Sequence, residues 1–188
     1  MELLRKVVFL DRDGTINRDS SQYIKSRQEF EFLPGSLAAI ENLTSNGFVT
    51  IVITNQSAIA RNLISRHELE RVHKKMAHTV AQNGGEIKDI FYCPHMPEDG
   101  CDCRKPEPGL ILQARDKYGI DLSAAVMVGD SAKDIECARR AGCGRAVLVK
   151  SGLDDAVEDE LKTRRLQVEC IAQDLHEAAE WIIGSYPE

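Results

Sequence analysis

The run Val7-Val8-Phe9-Leu10-Asp11-Arg12-Asp13-Gly14-Thr15 limits the folds open to this chain more than any other stretch. Four consecutive apolar residues, two of them β-branched, predict a strand buried on both faces, as at the centre of a parallel sheet. The two acids then stand at its C-terminal end, the edge at which open α/β sheets place their ligands. Asp11 and Asp13, one residue apart on a chain leaving a strand, are able to turn toward one point. Carboxylates so close repel unless a cation lies between them, and a hard divalent ion such as Mg2+, which takes oxygen ligands, suits them. Gly14 allows the backbone to turn sharply beside a ligand. Taken alone, D-x-D-G also fits an Asp-rich turn with no ligand.

Strand and helix patterns alternate beyond it. A loop from Ile24 to Phe32 is expected over the mouth of the sheet, ending at the Pro34-Gly35 turn. Ser36 is expected to cap a helix carrying Leu37, Ile40 and Leu43, and Val49 to Thr54 is the next buried strand. Ser65 and Glu68 form a capping box for a helix whose Leu69, Val72, Met76 and Val80 make one stripe. His67, His73 and His78 fall off that stripe and are expected in solvent. Ile87 to Tyr92, Ala125 to Val128 and Ala146 to Val149 predict strands. Helices are expected from Pro108-Gly109 to Tyr118, from Ser131 to Ala141, near Ala156 to Lys162 and from Asp174 to Ile183, with a short strand at Val168 to Ile171. The expected fold class is therefore α/β, a Rossmann-like parallel sheet with helices on both faces.

At 188 residues the chain is expected to form a single domain, 1–188. A net charge of −6 weighs against general nucleic-acid or anionic-membrane binding. No apolar run approaches a membrane span of about 20 residues, and the first apolar stretch is too short for a signal peptide. A cytoplasmic monomer is the expectation. In a reducing compartment, clustered cysteines point to metal binding rather than to disulfides.

The strand ends bring a specific inventory to one edge. The second strand stops at Thr54-Asn55-Gln56-Ser57, the fourth at Gly129-Asp130-Ser131, and the segment after the third reaches Arg104-Lys105-Pro106. Carboxylates, a hydroxyl, fixed cations and turn N–H groups suit phosphoryl transfer, which needs Mg2+, positive charge around the equatorial oxygens and an aligned nucleophile.

In this order the motifs resemble the haloacid dehalogenase superfamily of aspartate-nucleophile phosphotransferases, on Asp11-Arg12-Asp13-Gly14-Thr15, Thr54, Lys105 and Gly129-Asp130 with Asp134. The resemblance implies that Asp11 attacks phosphorus, that Asp13 protonates the leaving oxygen and then activates water, and that Thr54 and Lys105 hold the phosphoryl group. It assigns Mg2+ to Asp11, Asp13 through its backbone carbonyl, and Asp130, with Asp134 a ligand through water or a supporting partner. Larger members carry a cap domain after the first or second motif. Here the intervals of 41 positions from Asp13 to Thr54 and 51 from Thr54 to Lys105 are already filled, so no cap is expected.

Cys93, His95, Cys101 and Cys103, spaced C-x-H-x5-C-x-C, match a closed tetrahedral Zn2+ site of structural type, ending one residue before Arg104-Lys105. Cys137, Cys143 and Cys170 read as small buried hydrophobes. Zinc loop and capless core together are similar to the heptose bisphosphate phosphatases, whose loop histidinol-phosphate phosphatases share. That resemblance implies a phosphorylated sugar as substrate, the 7-phosphate of a heptose 1,7-bisphosphate made for nucleotide-activated heptose, and assigns it Asp19, Tyr23, Thr54, Asn55, Gln56, Ser57, Arg104 and Lys105. Histidinol phosphate is the alternative, and a polynucleotide end or a zinc-dependent binding module fits less well. The glycines usual after Ser57 and Arg61 are replaced by Ala58 and Asn62, and the Asp19 to Tyr23 segment is one residue longer than usual.

Overall fold

The computed structural model describes residues 3–186. Six strands, β1 (Val7–Leu10), β2 (Val49–Asn55), β3 (Ile87–Cys93), β4 (Val126–Gly129), β5 (Arg145–Val149) and β6 (Cys170–Ala172), form one sheet in the order β3-β2-β1-β4-β5-β6, with every neighbouring pair parallel. The helices are α1 (Ser36–Ser45), α2 (Arg66–Gln82), α3 (Gly109–Tyr118), α4 (Ala132–Ala141), α5 (Val157–Arg164) and α6 (Leu175–Ser185).

Strand β1 sits in the middle because all four of its side chains have somewhere apolar to go. Val7 and Phe9 join Ile51, Ile53, Met127 and Leu148 on the face covered by α3, α4 and α5, while Val8 and Leu10 join Val52, Val128 and Val147 on the face covered by α1, α2 and α6. The period of two along a strand thus feeds two cores. Each fully buried side chain of β1 is worth about 1.5–3 kcal/mol. The expected stripe Leu69, Val72, Met76 and Val80 of α2 is buried, and the Ser65 hydroxyl caps that helix by accepting from the Glu68 N–H at 3.1 Å.

Two local expectations fail. Ser36 is the first residue of α1 rather than its cap, and its hydroxyl ties the helix start to the carbonyls of Ile16 and Leu33 at 2.7 and 2.6 Å. The last strand starts at Cys170, not Val168, since only Cys170, Ile171 and Ala172 pair with β5. Between β1 and β2 lie a loop and α1, and between β2 and Lys105 lie α2, β3 and the cysteine loop, so the described residues contain no inserted cap domain. None of the described helices is long and apolar enough to cross a membrane.

Candidate active site

The chain leaving β1 passes to α1 on one face and the chain leaving β4 to α4 on the other, so a crevice opens between the two strand ends. Its volume is about 380 Å³, and Asp11, Asp13, Asp19, Tyr23, Thr54, Asn55, Ser57, Arg104, Lys105, Asp130 and Asp134 all border it. The Asp11 N–H donates to the Val128 carbonyl at 2.9 Å, which locks the first acid against the neighbouring strand.

Lys105 is the centre of the charge arrangement. Its ammonium is buried and has three N–H groups, which reach Asp11 Oδ1 at 2.7 Å, Asp134 Oδ1 at 2.5 Å and the Ile53 carbonyl at 2.9 Å. Burial works against its charge, but the carboxylates of Asp11 and Asp134 outweigh burial and hold Lys105 above the ordinary lysine range. Its main chain is fixed as well: Asn55 Oδ1 accepts from the Lys105 N–H at 3.0 Å and Asn55 Nδ2 donates to its carbonyl at 3.1 Å. The second oxygen of Asp134 accepts from the Ser131 hydroxyl at 2.6 Å and N–H at 3.1 Å, capping α4.

Asp11, Asp130 and Asp134 bring carboxylate oxygens within 4.8 Å of one another, a group able to hold a metal ion. Burial, with the charge of Asp134 added and that of Lys105 opposing, raises Asp11 to about 7. Burial and the charges of Asp11 and Asp134 raise Asp130 to about 9. Lys105 offsets only part of this burial and mutual repulsion, and three carboxylates drawn this close suit a divalent ion, whose charge would favour their ionised forms. Two backbones press on Asp130: a Cβ on Gly14, whose φ is +81°, would lie 2.2 Å from Asp130 Oδ2, and one on Gly152 would lie 2.0 Å from it.

Asp13 faces a cage of donors. Its oxygens accept from Arg12 Nη2 at 2.8 Å, Asn17 Nδ2 at 2.9 Å and Gln56 Nε2 at 2.8 Å. Burial pushes Asp13 up, but the Arg12 charge and these hydrogen bonds outweigh it and hold the carboxyl below its ordinary value. Gln56 also donates to Thr54 Oγ1 at 2.9 Å, so its amide ties Asp13 to Thr54 at the edge of the site. His73 is a clear correction: instead of lying in solvent it is buried, with Nε2 3.3 Å from Arg12 Nη1. Burial first, and the Arg12 charge second, lower its pKa to about 3, so the ring is neutral. The apolar stripe of α2 is narrower than the face it buries.

Sγ of Cys93, Cys101 and Cys103 and Nδ1 of His95 form the second group able to hold a metal. Five edges of this tetrahedron measure 3.2, 3.3, 3.5, 3.5 and 3.6 Å. A centre about 2.3 Å from each sulfur requires edges of about 3.7 Å, so the donors stand close to metal-binding positions. All six cysteines are free thiols. Cys137 and Cys143 are buried and Cys170 is half-buried. Arg104 Nη1 donates to the His95 carbonyl at 3.2 Å, which links this loop to the crevice rim.

Two further cations that the sequence reading assigned to neither catalysis nor substrate, Arg61 and Lys133, also reach the rim. A second concavity of about 500 Å³ adjoins the first, and Arg104, Lys105 and Lys133 border both. Tyr23, with φ 63°, lies under Arg61, whose guanidinium is 5.9 Å from the ring centroid. Asn62 takes φ 56°, so it supplies the left-handed turn for which glycine is usual.

Fold and site together have the form of a HAD-like hydrolase. The HAD-hydrolase-like family model matches residues 102–178. A D-glycero-beta-D-manno-heptose-1,7-bisphosphate 7-phosphatase of Pseudomonas aeruginosa is 49% identical over 148 residues, 79% of this chain and 83% of the relative, and that of Escherichia coli K12 is 37% identical over 185 residues, 95% and 88%. The crystal structure of D,D-heptose 1,7-bisphosphate phosphatase from B. bronchiseptica complexed with magnesium and phosphate superposes with a TM-score of 0.88 at 40% identity, covering 96% of this chain and 99% of that one. The chain belongs to this D-glycero-beta-D-manno-heptose-1,7-bisphosphate 7-phosphatase family of the HAD-like hydrolases.

Proposed function

We propose that this chain is a single-domain, Mg2+-dependent cytoplasmic phosphatase that removes the 7-phosphate of D-glycero-D-manno-heptose 1,7-bisphosphate through an aspartyl-phosphate on Asp11. The observation that carries the reading is the Lys105 ammonium held between Asp11 and Asp134, with Asp130 alongside, at the sheet's switch point. Asp11, the Asp13 carbonyl and Asp130 would hold Mg2+, which supplies positive charge against the carboxylates and the phosphoryl oxygens. Lys105 and the Thr54 hydroxyl hold the phosphoryl group while an Asp11 oxygen attacks phosphorus and the bond to the sugar oxygen breaks.

Asp13 gives its proton to that leaving oxygen, then takes one from the water that attacks phosphorus, releasing phosphate and restoring Asp11. Entry of a phosphate dianion beside Asp13 raises its proton affinity above that of the empty site. Asp134, with both oxygens engaged, positions Lys105 and is not a metal ligand in this scheme. Zn2+ in the Cys93, His95, Cys101 and Cys103 cluster is structural, since four protein donors leave no open position.

The second phosphate of the substrate is assigned to Arg104 and Lys133, which border both concavities, with Asp19, Tyr23 and Ser57 toward the sugar. The relatives' names support heptose bisphosphate over histidinol phosphate, and they specify the beta anomer. Arg104→Ala is the test: kcat/KM should fall about 30-fold, equivalent to about 2 kcal/mol, for the bisphosphate and far less for a simple monophosphate. Equal losses on both would remove Arg104 from the second-phosphate site.

A further inference from the structure

Arg12 leads the fully buried side chains by size among the described residues, and it is an unusual thing to bury. A guanidinium out of water needs an acceptor on every limb, or the unpaired N–H groups cost stability and the plane turns to find one. Two limbs are satisfied by Asp13, through Nε at 3.2 Å and Nη2 at 2.8 Å. The third limb, Nη1, points away from the crevice to Nε2 of His73 at 3.3 Å. Arginine carries only donors, so Nε2 is the acceptor and the ring proton lies on Nδ1. His73 is itself held, on α2 and against Tyr92 with ring centroids 5.7 Å apart.

We infer that His73 is a positioning residue for the phosphatase chemistry: by accepting from Arg12 Nη1 it fixes the plane of the guanidinium, and that plane aims the Asp13 carboxyl at the leaving oxygen. The inference rests on the reading of Asp13 as the acid of the first step. His73 touches neither substrate nor the reacting atoms. Its effect passes through one rigid planar group, and displacements of about 1 Å at a reacting group cost up to about a hundredfold in rate. Asn17 and Gln56 hold Asp13 from its other sides but do not touch Arg12 Nη1, so neither substitutes for His73.

A residue that only fills space beneath α2 would affect all substrates alike. One that aims an acid matters when the leaving group needs a proton. A sugar alkoxide needs one, and p-nitrophenolate does not. The experiment compares kcat/KM, with Mg2+ present, on the heptose bisphosphate and on p-nitrophenyl phosphate for wild type, His73→Phe, His73→Asn and His73→Gln. Gln places its amide oxygen where Nε2 lies, whereas Asn stops one bond short and Phe offers no acceptor.

The Phe and Asn variants should lose about 10–30-fold on the sugar phosphate and less than about threefold on the aryl phosphate, with Gln within about threefold of wild type on both. Thermal melts identify any variant that fails to fold, and Asn carries the comparison if Phe does so. Equal losses on both substrates, no loss, or Gln no better than Phe would overturn the inference. Asp13→Asn in the same assay reads the underlying assignment. Selective loss there with a flat His73 series overturns only His73, while equal loss on both substrates in Asp13→Asn removes the acid role from Asp13 and the basis for His73 with it.

Discussion

Burial raises Asp11 to about 7 and Asp130 to about 9, against 3.8 for an ordinary aspartate, and the sign of the consequence follows from linkage. A carboxyl that binds its proton more tightly folded than unfolded contributes stability that is full below the unfolded value and lost as pH rises through the folded one. Metal-free protein should therefore lose melting temperature from about pH 4 through 7 to 9. Mg2+ binds the ionised carboxylates, so its stabilising shift in Tm should be larger near pH 8.5 than near pH 5.5, and equal shifts at both would contradict the site. Asp11→Asn should abolish turnover with fold and zinc content intact, because an amide oxygen does not attack phosphorus; activity within about tenfold of wild type would end the covalent scheme. At this scale the sequence was partly legible. Asp11, Asp13, Thr54 and Asp130 stand at or just beyond strand ends, Lys105 on the loop after β3, and all five border the crevice as expected. The pairing of Arg12 with His73 and of Gln56 with Asp13 did not show in the sequence, since such long-range partners meet only once α2 and the end of β2 are packed beside the first strand.

The cysteine loop shows what an irregular element needs in order to hold a functional group still. Among its described contacts with the rim, the Arg104 to His95 hydrogen bond depends directly on the tetrahedron, whereas the Lys105 main chain is clamped independently by Asn55. Cys101→Ser should accordingly abolish zinc in elemental analysis, lower Tm and weaken substrate binding through Arg104 more than it disturbs the Lys105 pair. A zinc-free preparation of the unaltered protein, purified without chelator, would contradict the loop's role. Elements with strong periodicity were legible: β1, β2 and α2 fall within a residue or so of the expected spans. Ser36 misled because a serine before an apolar stripe looks like a cap, while the Ile16 and Leu33 carbonyls that claim its hydroxyl are contacts no local pattern shows. Asn62 preserves a left-handed turn that loss of the usual glycine had put in question.

On the scale of the whole molecule, the order β3-β2-β1-β4-β5-β6 sets the crevice between β1 and β4, and the loops after β1 and β3 rim it in place of a cap. Without a lid, selectivity has to come from those rims. A chain of net charge −6 brings Arg61, Arg104, Lys105 and Lys133 to the mouth that also holds Asp11, Asp13, Asp19, Asp130 and Asp134, so basic groups are at hand there for a second phosphate. The parallel sheet with helices on both faces followed from the alternation of patterns, but its strand order and the basic groups at the rim depended on how the connections and loops fold back, which spacing along the chain does not encode. The most direct measurement is kcat/KM in parallel on D-glycero-beta-D-manno-heptose 1,7-bisphosphate and histidinol phosphate with saturating Mg2+. The heptose bisphosphate should be preferred by at least about tenfold, the discrimination of one charge-assisted contact, and a preference for histidinol phosphate would contradict the assignment.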